Sequence, residues 1–133
     1  MSKIKYGMVG GGQGAFIGAV HRIAARMDDH FQLVAGALSS TVEKSKASGR
    51  ELGISEDRAY GDFSEMALAE AAREDGIEAV AIVTPNHMHF PVAKAFLEAG
   101  IHVICDKPMT TSLEDAEELA ELVKKTGKVF VLT

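Results

Sequence analysis

Cysteine is nearly missing from this chain: Cys105 is the only one. One thiol excludes a disulfide framework and a thiolate metal cluster. It lies in an apolar strand pattern, which makes it a core residue before a nucleophile. Positive charge is also short. Fourteen Lys and Arg stand against nineteen Asp and Glu, a net charge of −5, and no Lys/Arg run interrupts that balance. This speaks against a nucleic-acid partner, while single cations remain to meet a small phosphate. No apolar run has the roughly 20 residues of a membrane span, so no membrane partner is expected. Met1-Ser2-Lys3-Ile4-Lys5 leads straight into a strand pattern without the apolar region of a signal peptide. Cytoplasm is the expected location. Internal repeats, linkers and low-complexity segments are lacking as well. What remains is 133 residues, 47% hydrophobic and 25% charged, enough for one soluble domain around one core.

Glycine is concentrated where it counts. The stretch from Lys5 to Gly18 reads as a buried strand, a glycine turn and the start of a helix. A nucleotide pyrophosphate needs that order. The turn must be tight, and the N–H groups and dipole of the helix's first turn then hold the anion. Gly10, Gly12 and Ala15 match G-x-G-x-x-G/A. Gly10 allows the turn, Gly12 lets a pyrophosphate approach, and Ala15 permits close helix packing. Gln13, Gly14, Phe16 and Ile17 complete the facing segment. Many ordinary loops also contain several glycines, so the rest of the chain has to decide.

The remaining pattern alternates. The first strand, Ile4 to Val9, is followed by a helix from about Ala15 to Met27, with Ile17, Val20, Ile23, Ala24 and Met27 as one buried face. Leu33–Leu38 reads as the second strand. Ser40-Thr41-Val42-Glu43 reads as a capping box opening a helix to about Leu52, which Gly53 stops. Ala59-Tyr60 is a weak third strand, and Ser64 caps a helix from Glu65 to Asp75. Ala79–Val83 is the fourth strand, and Pro91 lies in the first turn of a helix that ends at Gly100. His102–Cys105 is the fifth. A second capping box, Thr111-Ser112-Leu113-Glu114, opens the last helix, and Val129–Leu132 is the sixth strand. Short links between strands and helices predict right-handed βαβ units. The fold class expected is α/β: a doubly wound, parallel, six-stranded Rossmann sheet in the order 3-2-1-4-5-6, with residues 1–133 as one dinucleotide-binding domain. Its ligand edge lies at the carboxyl ends of the strands.

Three loops besides the glycine turn carry chemistry there. The end of the second strand commonly holds an acid for an adenosine ribose. Here Leu38-Ser39-Ser40-Thr41 has none. The hydroxyls of Ser39 and Ser40 would tolerate a 2′-phosphate, which Arg22, Lys44 or Lys46 would meet. The cofactor expected is NADP or NAD, leaning to NADP, although Ser40 also reads as a plain helix cap. Thr84-Pro85-Asn86-His87-Met88-His89 gathers polar groups where a nicotinamide would lie. Asn86 suits a ribose or an amide and His89 a substrate, though an exposed histidine or a cap explains each alone. No metal is expected, because His87-x-His89 lacks a third ligand. Asp106-Lys107-Pro108 follows the fifth strand. Lys107 there would stabilise a developing alkoxide, or be a solvated surface charge.

Together, Gly10-Gly11-Gly12-Gln13-Gly14-Ala15, Thr84-Pro85-Asn86-His87-x-His89 and Ala99-Gly100-Ile101-His102-Val103-Ile104-Cys105-Asp106-Lys107-Pro108 resemble the N-terminal domain of the glucose–fructose oxidoreductase/inositol dehydrogenase (Gfo/Idh/MocA) family. The resemblance implies an NAD(P)-dependent oxidoreductase passing a hydride between nicotinamide C4 and a sugar, cyclitol or related polyol. It implies that Gly10, Gly12 and Ala15 hold the pyrophosphate. Thr84, Asn86 and His89 line the nicotinamide side, with Pro85 and Asp106 beside them. Lys107 contacts the hydroxyl being oxidised, and Pro108 fixes the loop. The chain departs from the family in having Asp106 where a glutamate is usual, and no acid after the second strand. The family also implies a second domain that supplies most of the substrate pocket, an Asp and a His for acid–base chemistry, and usually the oligomer contact. That domain is not in these 133 residues, so this chain alone is expected to bind cofactor and turn over little or nothing. The competing readings are a non-catalytic nucleotide-binding or redox-sensing module and an adenosyl-cofactor enzyme.

Overall fold

Parallel strands that need helical crossovers dictate the whole arrangement. The computed structural model describes residues 2–133. In chain order the elements are β1 (Ile4–Gly10), α1 (Phe16–Met27), β2 (Phe31–Ala37), α2 (Val42–Leu52), a 3₁₀ turn (Glu56–Arg58), α3 (Phe63–Ala71) and β3 (Ala79–Val83). A second 3₁₀ turn (Asn86–Met88), α4 (His89–Glu98), β4 (His102–Cys105), α5 (Leu113–Thr126) and β5 (Phe130–Leu132) follow.

The sheet has five strands, all parallel, in the order β2-β1-β3-β4-β5. This corrects the expected six-stranded 3-2-1-4-5-6 sheet. The segment expected as the third strand is a single parallel bridge, Ala59 to Gly36, with the Tyr60 N–H donating to the Gly36 carbonyl at 2.7 Å. It lies where expected, outside β2, but is pinned between the 3₁₀ turn and Asp62, which caps α3. Too little chain is left there to extend a ladder.

β3 is buried throughout, as a central strand covered on both faces must be. Val80 and Ile82 belong to one core with Val103, Cys105, Phe96, Leu97 and Leu119. Ala79, Ala81 and Val83 belong to the other with Tyr6, Met8, Leu38 and Ile54. The first core lies under α3, α4 and α5, the second under α1 and α2. Beside the first, Glu70 is 1% exposed and accepts from Arg58 Nε (3.1 Å), the Tyr60 hydroxyl (2.7 Å) and the Ile77 N–H (3.2 Å). Burial, then the Glu70 carboxylate, holds the Tyr60 phenol above its usual range.

α1 departs most from its sequence pattern. Val20, Ala24, Ile23 and Met27 face outward, Ile23 at 55% and Met27 at 78% exposure. The inner side is Ile17, Gly18, His21, Arg22 and Ala25. The cause is proximity: a Cβ on Gly18 would stand 2.6 Å from the Gly11 Cα. A helix that close to the turn has no room for a large apolar stripe. It accepts instead side chains whose polar tips reach partners, such as Arg22 Nη1 donating to the Gly11 carbonyl at 2.9 Å. The caps move by a residue as well. Thr41, not Ser40, caps α2 by accepting from the Lys44 N–H, and Ser112 caps α5. Among the described residues, no helix is long and apolar enough to cross a membrane.

Candidate functional site

The carboxyl ends of β1, β2 and β3 open onto two adjoining cavities. One, of about 400 Å³, is lined by Gly10, Gly12, Gln13, Ala15, Ser39, Lys44, Ser48, Thr84 and Pro85, among others. The other, of about 440 Å³, shares Gly10, Leu38, Ser39, Thr84 and Pro85 and adds Ser40, Gly61, Asp62, Phe63 and Met88. Its wall is mostly apolar, which suits a flat ring. Lys44 is the one cation on either wall among the described residues.

The glycine turn owes its shape to its own packing. Gly10 has φ +83°, and a Cβ on it would lie 2.9 Å from the Val83 carbonyl oxygen. A Cβ on Gly12 would lie 2.5 Å from the Leu38 carbonyl oxygen and 3.0 Å from Ser48 Oγ. Glycine at position 12 therefore lets the turn sit against the end of β2. Ser48, 3% exposed, accepts from the Gln13 N–H at 3.1 Å. Gln13 Nε2 donates to Glu51 at 2.7 Å. Ala15 is the exposed N-cap of α1 and offers no side-chain acceptor, so the first-turn N–H groups carry no side-chain cap. The close helix packing expected of Ala15 is made by Gly18. Gly14, at φ +80°, has open space around it.

The other sequence-derived residues divide. Ser39, Ser40, Thr84 and Pro85 line the cavities. Phe16 is 81% exposed, Ile17 is half-buried, and neither lines a cavity. Asn86 and Lys107 are exposed beyond the cavity walls. Asp106 turns to the α1 side, where its Oδ1 lies 3.3 Å from His21 Nε2 and accepts from Thr133 Oγ1 at 3.3 Å. His89 is 1% exposed and meets only backbone, the carbonyls of Pro108 and Thr84. The Lys107–Pro108 peptide is cis. Cys105 is fully buried, and burial pushes its thiol up to about 12, which leaves no nucleophile at neutral pH. Among the described residues, no group of three His, Cys, Asp or Glu is placed to hold a metal.

Ser48, Gly18, Phe63 and Met88 were missed by sequence reasoning. Ser48 lies mid-helix, where no spacing rule points to a neighbour 35 residues earlier. Gly18 carried a signal, one more small residue just inside the helix after the glycine turn and Ala15.

Comparison with known proteins agrees with this fold. The family model GFO_IDH_MocA, described as an oxidoreductase family with an NAD-binding Rossmann fold, matches residues 4–133. An oxidoreductase from Sinorhizobium meliloti is 62% identical, with a TM-score of 0.94 over 100% of this chain and 37% of that one. An inositol dehydrogenase homolog from Azotobacter vinelandii, crystallised with NADH and myo-inositol, is 42% identical, with a TM-score of 0.96 over 99% of this chain and 35% of that one. The oxidoreductase YfiI of Bacillus subtilis is 43% identical over 131 residues, which are 98% of this chain and 33% of YfiI. The chain thus spans about a third of the length of these relatives.

Proposed function

The chain belongs to the GFO_IDH_MocA oxidoreductase family, and from that premise we propose that it is the cofactor-holding domain of an NAD(P)-dependent dehydrogenase acting on a sugar, cyclitol or related polyol. The observation that carries this reading is the convergence of the glycine turn, the Ser39 hydroxyl and the Thr84–Pro85 loop on one cavity beside the N-terminus of α1. A dinucleotide fits that donor set: first-turn N–H groups for a pyrophosphate, hydroxyls for a ribose, an apolar slot for a ring.

In this reading the backbone of Gly10, Gly12, Gln13, Gly14 and Ala15 holds the pyrophosphate, with Phe16 and Ile17 contributing N–H groups alone. Ser39 and Ser40 face the adenosine ribose. Thr84 and Pro85 wall the nicotinamide side, and Asn86 and Lys107 lie beyond it toward substrate. A bound nicotinamide supplies the hydride acceptor at C4. Lys107 donates a hydrogen bond to the substrate hydroxyl and lowers the cost of charge developing on that oxygen. Asp106 and His89 act behind this loop and do not touch the ligand.

The same reading favours NADP. The end of β2 has no carboxylate to repel a 2′-phosphate, and Lys44 lines the cavity beside Ser39. Arg22 is committed to the Gly11 carbonyl and Lys46 lines neither cavity. Side-by-side titration of this chain with NADPH and NADH by calorimetry tests both levels. Tighter NADPH binding is the expected result. Tighter NADH binding refutes the NADP preference alone, and binding of neither refutes the dinucleotide site.

A further inference from the structure

The ring of His89 is a buried titratable group that the cavity does not use. His89 is the first residue of α4 and 1% exposed. Its Nδ1 lies 2.6 Å from the Pro108 carbonyl oxygen and its Nε2 3.1 Å from that of Thr84. A carbonyl oxygen only accepts. A neutral imidazole has one N–H and one lone pair, so it would satisfy one contact and set a lone pair against an oxygen at the other. A ring with a proton on each nitrogen donates to both. We propose that His89 is a positioning residue held as an imidazolium, a two-donor clamp that ties the loop after β3 to the loop after β4 and thereby fixes the loop that carries Lys107. The role of Lys107 rests on the proposed function; the clamp does not.

Two effects oppose a cation here. The N-terminus of α4 repels it, and burial of a charge is costly unless it is hydrogen-bonded. Donation to two carbonyls opposes both: the Nδ1 contact at 2.6 Å is as short as a charge-assisted hydrogen bond, and the Nε2 contact at 3.1 Å has ordinary length. No carboxylate among the described residues hydrogen-bonds the ring. Asp106 faces His21 and Thr133, and His87 and Lys107 are exposed. Cys105 donates its thiol to the Asp106 carbonyl. On α4 and on α5, packed against it, Lys94 and Glu118 pair with each other. The two backbone carbonyls alone hold the charge.

Nitrogen-15 NMR of the labelled wild-type chain tests this, with the His89 ring assigned through its own Cβ protons. At pH 7 both ring nitrogens are expected to carry a slowly exchanging proton. Raising the pH until one is lost is expected to shift the amides of Thr84 and Asn86 together with those of Lys107 and Met109. A single ring N–H at pH 7 overturns the proposal. So does loss of the second proton without movement in both loops. His89→Gln, which keeps one donor nitrogen, is expected to release one loop and retain the other. Lys107→Ala is expected to leave the ring signals unchanged. A failure of the hydroxyl contact would therefore appear in turnover of the full-length parent and leave the clamp standing.

Discussion

Gly12→Ala is the sharpest test of how the turn is built. The added Cβ would lie 2.5 Å from the Leu38 carbonyl oxygen and 3.0 Å from Ser48 Oγ. Carbon contacts are comfortable at roughly 3.5 Å, so the turn has to retreat from β2 by on the order of 1 Å. The obstruction is backbone, which cannot rotate away like a side chain. Overpacking of this kind costs about 1–3 kcal/mol, a fall in melting temperature of roughly 3–10 °C for a domain of this size. Retreat also stretches the Gln13 N–H to Ser48 bond, now 3.1 Å, and moves the wall of the cavity. Urea denaturation gives the stability and calorimetry with NADPH gives the affinity. Gly14→Ala is the control: its Cβ meets nothing, and its cost is the left-handed backbone alone, about 1–2 kcal/mol. Gly14→Asn is expected to recover part of that, since asparagine tolerates this region, whereas Gly12→Asn is not. Wild-type stability and affinity in Gly12→Ala would refute the steric account.

Other perturbations read out different parts of the molecule. Lys44→Ala is expected to lower NADPH affinity about tenfold, equivalent to about 1.4 kcal/mol, and leave NADH affinity unchanged in the same calorimetric titration. Glu70→Ala leaves the buried Arg58 guanidinium with Asp75 alone, its carbonyl at 3.1 Å and its half-exposed carboxylate at 3.6 Å, and is expected to cost about 3 kcal/mol in urea denaturation, whereas replacing both Arg58 and Glu70 by apolar residues costs less. Cys105 makes stability fall with pH. Its folded value is raised to about 12 against an unfolded value near 9.0, so the folded state holds the proton more tightly. Stability is untouched below pH 9.0 and drops between there and about 12 by at most about 1.4 kcal/mol per pH unit. Cys105→Ala removes the part of the slope that begins at pH 9.0 and leaves the part that the raised Tyr60 phenol adds above pH 10.0, and denaturation curves taken at stepped pH separate the two.

Fold class was legible early because it rests on local signals. The continuous apolar run Ala79–Val83 and the caps and glycine stops of α2 and α5 identify a covered parallel sheet from neighbouring residues alone. The lining residues Gly10, Gly12, Ser39 and Thr84 were legible for a related reason. Each lies within a few residues of a strand's end, and in such a sheet the strand ends define the ligand edge. Periodicity misled at α1, since it reports that a helix has an apolar side and not which way that side turns. It also misled at Ala59-Tyr60, where a strand-like pair has too short a segment to become a strand.

Legible from the chain alone are the alternation of elements, the glycine turn at the first of them, the lack of an acid after β2, and a net negative charge that disfavours nucleic acid. All of these are properties of short windows or of composition. Packing between elements set the rest: Gly12 is demanded by the Leu38 carbonyl, Ser48 holds Gln13, Asp106 turns to His21, and His89 is buried between two carbonyls. Each of these joins groups from different elements. The distance between such groups is set by how closely two elements pack, and no window of the chain contains both.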